Sequence, residues 1–214
     1  SITVDAVNDA PVITSDGGGA SASLSVAENT TLVTTVGASD VDLPAQTLTY
    51  SIVGGADQAR FTIDGATGVL SFNQAPNFEA PGDTDADNVY HATVQVSDGA
   101  GGSDTQAIAV TVTNVNEAPV ITAPNGGNPE TISIAENTTA VTDIDATDVD
   151  AGTTLTYSII GGADAAKFQI VAGTGVLSFI SAPNFEVPTD AGADNGYEVQ
   201  VQVSDGSGGV DTQT

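Results

Sequence analysis

The chain has no cysteine, no methionine and no tryptophan, and a single histidine, His91. Without thiols it has no disulfides and no zinc or iron–sulfur site built on thiolates. One histidine without cysteine leaves nucleophilic triads and histidine metal sites without material. Basic residues are almost as scarce: 2 Lys and Arg stand against 28 Asp and Glu, a formal charge of −26. Recognition of nucleic acid needs a basic footprint, and attachment to an anionic membrane surface needs clustered Lys or Arg. Nucleic-acid partners and direct membrane insertion are therefore excluded as expectations. No apolar run approaches the roughly 18 residues of a spanning helix. There is no initiator methionine or signal peptide, so the piece reads as an internal window of a longer polypeptide whose export signal lies elsewhere.

What is abundant is acid. Self-repulsion on this scale destabilises a compact state unless cations neutralise it, and hard divalent cations are the obvious partner. An extracellular protein without disulfides also needs another staple, and a metal is one.

The chain also says the same thing twice. Ala27-Glu28-Asn29-Thr30-Thr31 returns at 135–139, LTYSI at 48–52 returns at 155–159, TGVLSF at 67–72 at 174–179, APNFE at 75–79 at 182–186, and VQVSDG at 94–99 at 201–206. The offset is 107 or 108 residues, which in a chain of 214 makes two copies. A period of one domain length means tandem domains rather than a solenoid of short units, and each copy is long enough to bury its own core.

No stretch sustains a 3.6-residue apolar pattern. Short β-branched runs recur instead, bounded by Gly, Asp, Asn and Pro, and predict strands near 11–14, 24–27, 32–38, 47–53, 60–63, 68–72, 89–97 and 107–114 in the first copy. Seven or so short strands in about 100 residues predict an antiparallel β-sandwich. The ten aromatics pair completely across the copies: Tyr50 with Tyr157, Phe61 with Phe168, Phe72 with Phe179, Phe78 with Phe185, Tyr90 with Tyr197. All five pairs are expected in the cores. The ends are out of phase with the repeat. Residues 2–9 match 109–117, while the second copy stops at Thr214, before its final strand. The expected organisation is 1–9 as the last strand and linker of a preceding repeat, 10–116 as repeat one, and 117–214 as repeat two lacking its final strand.

Acidic and amide residues gather at strand ends. Calcium takes six to eight oxygens from carboxylates, carbonyls and water. The candidates are Glu28, Glu79, Asn114, Asn116 and Glu117 in the first copy and its exit, with Asp148, Asp150 and Asp205 from the second. Half-sites of the same kind fall at the ends of the chain: Asp9, Asp40, Asp42 and Asp98 on one side, Glu136 and Glu186 on the other. Asp83-Thr84-Asp85-Ala86-Asp87-Asn88 is not an EF-hand, having Asn88 where Gly is needed and Val94 where the closing Glu belongs, and reads as an acidic surface loop. The Gly-rich stretch 98–104 precedes a strand rather than a helix and reads as a hairpin turn.

The Ala-Glu-Asn motif, the Asp-x-Asp at 40–42 and 148–150, the Asn-Phe-Glu at 77–79 and 184–186, Asp98 and Asp205 of Val-Ser-Asp-Gly, and the linker Asn114-Val115-Asn116-Glu117-Ala118-Pro119 resemble cadherin calcium motifs. Their wording resembles the cadherin-like repeats of large bacterial surface and secreted adhesins of the RTX type. The resemblance implies an all-β fold of two tandem cadherin-like (Ig-like, Greek-key) β-sandwich domains, with Ca2+ between consecutive domains. It departs from the pattern at Glu117-Ala118, at Asn77, and at Ala6 in the first linker, where the second has Asn114. Each change removes a charge or an oxygen, so fewer or weaker ions per joint are expected.

The function expected on this basis is a non-catalytic, calcium-stiffened extender module of an extracellular or cell-surface bacterial protein. Its partners would be neighbouring repeats, copies of itself head-to-tail, and cell-surface or matrix components. Two alternatives stand beside it: a fibre or surface-layer subunit polymerising by strand donation from residues 1–9, and a carbohydrate-binding accessory module. A two-carboxylate glycosidase fits less well, because Glu28 and Glu79 recur as Glu136 and Glu186, which suits a role repeated at each joint.

Overall fold

The computed structural model describes residues 1–214 except Val4, Asn125 and Gly127. It divides into two compact units, Ser1–Val115 and Asn116–Thr214. No α-helix occurs among the described residues; single 3₁₀ turns at Gln58–Arg60 and Ala165–Lys167 are the only helical pieces.

Unit 1 contains β1 (Val12–Ile13), β2 (Ser21–Ala27), β3 (Leu32–Thr35), β4 (Ala38–Ser39), β5 (Thr49–Gly54), β6 (Phe61–Ile63), β7 (Val69–Phe72), β8 (Val89–Ser97) and β9 (Ser103–Thr113). One sheet has the order β2-β9-β8-β5 and the facing one β3-β7-β6, with β1 pairing β4. The strands form where apolar residues alternate. Tyr90, Ala92, Val94 and Val96 of β8 and Gln106, Ile108, Val110 and Val112 of β9 point inward and are buried, while their neighbours face outward. The expected run at 32–38 is split into β3 and β4. β2 begins at Ser21, earlier than its apolar residues indicate, because its whole length lies parallel on β9 from Ser21↔Ala107 to Ala27↔Thr113.

Unit 2 contains β10 (Val120–Ile121), β11 (Ala140–Asp143), β12 (Ala146–Thr147), β13 (Thr156–Gly161), β14 (Phe168–Ile170), β15 (Val176–Phe179), β16 (Gln200–Ser204) and β17 (Val210–Gln213). Its sheets are β13-β16-β17 and β11-β15-β14, with β10 on β12. β17 corresponds to only the start of β9. Residues 131–135, the counterpart of β2, form no strand, and neither do residues 196–199, the counterpart of the start of β8. Their counterparts in unit 1, β2 and the start of β8, both pair with β9. Residues 1–9 show no strand either, with Val4 outside the described residues.

The cores follow the same division. In each unit two Phe rings stack and a Tyr meets them edge-on: Phe61 and Phe72 have centroids 4.6 Å apart with Tyr90 against them, and Phe168 and Phe179 are 4.4 Å apart with Tyr197. Tyr50, Tyr157 and Phe78 also pack on these clusters. Phe185 departs from the expectation. It is 64% exposed, beside the slot that β9 fills in unit 1.

Candidate metal centre

Unit 1 carries two acidic constellations at opposite ends of its last strand, β9, and unit 2 repeats the residues of both. In unit 1 the first sits at the β8–β9 hairpin. The Asp98 carboxylate accepts hydrogen bonds from the backbone N–H groups of Ala100 (2.7 Å), Gly101 (3.0 Å) and Gly102 (2.9 Å), and from Asn8 Nδ2 at 2.8 Å. Gly102 is required there, since a Cβ would collide with the Asp98 carboxylate and the Ala10 backbone. The Asn8 amide, opposed by partial burial and helped by the turn N–H groups, holds the Asp98 carboxyl below its usual range. The other acids are threaded onto the same point. Asp9 N–H donates to Asp42 Oδ2 at 2.9 Å, Asp42 N–H donates to Asp40 Oδ1 at 2.8 Å, and Gln46 Nε2 donates to Asn8 Oδ1 at 2.8 Å. Asp40 Oδ2 is buried and accepts no hydrogen bond.

Unit 2 repeats the arrangement. Asp205 accepts from Ser207 (2.7 Å), Gly208 (3.0 Å) and Gly209 (2.9 Å) and from Asn116 Nδ2 at 2.7 Å. Its carboxyl is likewise held low, by the Asn116 amide first and then, against burial, by the turn. Glu117 N–H donates to Asp150 Oδ2 at 2.8 Å and Asp150 N–H to Asp148 Oδ1 at 2.9 Å. Asp148 Oδ2 accepts no hydrogen bond.

The second constellation follows β2 and β9, roughly 35 Å along β9 from the first at the usual rise per residue. Asn29 takes a left-handed conformation (φ 61°), and its N–H donates to Pro76 O at 2.9 Å, which turns Glu28 inward. Glu28 is 1% exposed. Its Oε2 accepts from Phe78 N–H and its Oε1 from Val115 N–H, both at 2.9 Å. A Glu79 carboxylate oxygen lies within 4.8 Å of one from Glu28, yet neither Glu79 oxygen accepts a hydrogen bond. Asn114 is exposed and directly follows the end of β9. In unit 2 the Asn137 turn is the same (φ 59°), and Glu136 Oε2 accepts from Phe185 N–H at 3.0 Å. Glu136 and Glu186 are both exposed.

A half-buried carboxylate without a donor beside a buried one carries an electrostatic cost that a cation removes. The donors are all oxygen, from Asp, Glu and Asn, which fits a hard divalent ion and not a soft one.

Residues 22–114 match the profile of the family described as Cadherin domain, and residues 116–214 that of the family described as Bacterial Ig domain. The solved mouse Cadherin-23 EC22-24 covers 97% of the chain at TM-score 0.56 and 21% identity, with 65% of that structure covered. The chain is two cadherin-like sandwiches in tandem. Human Protocadherin Fat 1 is 31% identical over 153 residues, 68% of this chain and 3% of that protein. Mouse Cadherin-23 is 32% identical over 201 residues, 87% of this chain and 6% of that protein. The chain thus spans a small part of the length of either relative.

Other polar residues with structural work in these sandwiches were not singled out by their motifs. Asp57 is 3% exposed and accepts from Thr84 N–H and Oγ1, both at 2.7 Å, and from His91 N–H at 2.9 Å. Asp164 accepts from Ala191 and Glu198 N–H in the same way. The repeated Gly-Gly-Ala-Asp at 54–57 and 161–164 was the available signal. These carboxylates pin the loops at 83–88 and 190–195. Asp83, Asp85 and Asp87 bring carboxylate oxygens within 4.8 Å of one another, with Asp83 buried under its own loop N–H groups.

Proposed function

We propose that the chain is a non-catalytic, calcium-stiffened extender module of a bacterial extracellular adhesin or matrix protein. The observation that carries this reading is Glu79, whose two oxygens have no donor although Glu28 lies beside it. Glu28 and Glu79 of the first sandwich, with Asn114, would share Ca2+ with Asn116, Glu117, Asp148, Asp150 and Asp205 of the second. The chain order supports this sharing. Glu28 holds the Val115 N–H, and the next residue, Asn116, is held by Asp205. Asp9, Asp40, Asp42 and Asp98, and Glu136 with Glu186, are the corresponding half-sites for domains before and after. Calcium would supply charge neutralisation and a fixed joint. The protein would supply prearranged oxygens, since Asp98 and Asp205 are already ordered by their turns. The bacterial setting is supported by the profile matched over residues 116–214, and the extracellular one by the cadherin relatives. No helix among the described residues is long and apolar enough to cross a membrane.

Small-angle scattering with calcium and with chelator tests the reading. The particle should be longer and stiffer in calcium, and calorimetry should show a tight class of ion that the double variant D148A/D150A loses. Identical scattering in both buffers, or a tight class unchanged in the variant, would overturn it.

A further inference from the structure

Unit 1 carries a cleft whose unspent polar atoms are mostly donors, on a chain whose side chains are mostly acceptors. It holds about 470 Å³ and lies between the 3₁₀ turn at Gln58–Arg60, the exit of β7 and residues 80–82. That volume falls within the roughly 300–1,000 Å³ of small-molecule sites. The acceptors around it are already used. Ala59 O accepts from Asn73 Nδ2 at 2.9 Å, Arg60 O from Asn73 N–H at 2.8 Å, Pro76 O from Asn29 N–H at 2.9 Å, and Asn77 Oδ1 from Ala80 N–H at 2.7 Å. The donors are not used. Among the described residues the Arg60 guanidinium, the Gln74 side-chain amide and Asn77 Nδ2 make no hydrogen bond or ion pair. Tyr90 is buried and its hydroxyl accepts from Gly82 N–H at 2.8 Å, which leaves its own proton to donate. Arg60 is exposed and is one of two basic residues beside 28 acids, yet no carboxylate of its own chain holds it.

Gly82 keeps the cleft open. Its φ is not left-handed, so the backbone does not demand glycine there. A Cβ at this position would lie 3.5 Å from the Tyr90 hydroxyl and 3.6 Å from Arg60 Cζ, occupying the gap between them without a clash. Unit 2 closes the same place. Thr189 stands for Gly82, and both its N–H and its Oγ1 lie 3.3 Å from the Tyr197 hydroxyl. Ile180 and Val187, 58% and 63% exposed, stand for Asn73 and Ala80, and Lys167 for Arg60. We propose that the cleft of unit 1 binds a carboxylate-bearing sugar, a uronic acid unit. Its carboxylate would pair with both arms of the Arg60 fork. Its ring oxygens would accept from Tyr90 and Asn77, and a hydroxyl would donate to Gln74 Oε1. A peptide carboxylate would arrive with backbone N–H groups, and the carbonyls that could receive them are spent. Remote acids repel an anion, but at 0.15 M salt the Debye length is about 8 Å, which screens them and spares the contact with Arg60.

Calorimetric titration of the whole chain with sodium glucuronate, glucose and a tetraglutamate peptide tests this, in chelator so that calcium plays no part. Glucuronate should bind saturably, and glucose about tenfold or more weaker. Arg60→Gln should lose about tenfold or more in affinity for glucuronate, and so should Gly82→Thr, which copies unit 2 at that position. Gly82→Ala takes the place of Gly82→Thr if the latter lowers the melting temperature. Lys167→Gln should bind as the unaltered chain does. In nuclear magnetic resonance spectra of the unaltered chain, glucuronate should shift the side-chain amides of Gln74 and Asn77. The proposal is overturned if glucuronate shows no saturable binding, if glucose binds as well, or if Arg60→Gln retains full affinity. It is equally overturned if Lys167→Gln loses as much as Arg60→Gln, or if tetraglutamate binds more tightly than glucuronate, which would assign the cleft to an acidic protein segment.

Discussion

At the residue scale, the carboxylates of this chain do two different jobs, and hydrogen-bond donors tell them apart. Asp57 is satisfied by three donors from the protein, whereas Glu79 has none. The first is a structural staple and the second an invitation to a cation. Burial alone would push the Asp57 carboxyl up, but the His91 and Thr84 donors outweigh it and set it below its ordinary value of 3.8. The folded form therefore favours the charged carboxylate. Its contribution is fully present above pH 3.8 and is lost as the pH falls from there through the lower folded value. Asp57→Ala leaves the donors stranded and should cost about 2–4 kcal/mol at neutral pH. Urea unfolding measures this, and the loss between wild type and variant should shrink as the pH is taken below 3.8. A gap that stays constant with pH would mean that the carboxylate charge is irrelevant there.

At the element scale, the strands were legible wherever one face is buried, because alternation marks them: β8 and β9 fall within a few residues of their expected bounds. The aromatic pairing located the cores for the same reason. Less legible was anything that depends on a distant edge. The start of β2 at Ser-Ala-Ser has no apolar signal and exists through its parallel ladder on β9. Phe185 looked like core because Phe78 is partly so, yet a side chain is buried only if the strand above it is present. The acids at the sheet ends were legible as residue types. Their partners Asn8 and Gln46 were not, since an amide that orders a carboxylate has no sequence pattern of its own. The missing ladder has a measurable consequence. Burying Ile108, Val110 and Val112 stabilises unit 1 by about 1.5–3 kcal/mol for each side chain as an upper bound. Unit 2 has no such strand in place. Amide hydrogen exchange followed by mass spectrometry, at a concentration where the chain is monomeric, should find residues 131–135 and 196–199 exchanging far faster than 21–27 and 89–92. Equal protection would mean that the unpaired segments are held by something other than the ladder.

At the scale of the whole molecule, 28 acids against 2 bases make charge the dominant long-range term. Two remedies act on it in different ways. Salt screens every exposed acid without needing geometry, over a Debye length of about 10 Å at 0.1 M. A bound ion acts only where oxygens converge, and stabilises by mass action in proportion to its preference for the folded state. At 100 times its dissociation constant that amounts to about 2.7 kcal/mol per site. The two can be separated by melting the protein in chelator with sodium chloride, then in calcium chloride at matched ionic strength, then in magnesium chloride. Sodium chloride should raise the melting temperature gradually. Calcium should raise it further and saturate. Magnesium should do less than calcium, because it demands near-octahedral geometry and gives up its water reluctantly, whereas these sites offer carboxylates fixed by their own turns. If all three salts gave the same rise at the same ionic strength, the acids would be a solvated coat and the convergence of Glu28 with Glu79 would have no ion to explain.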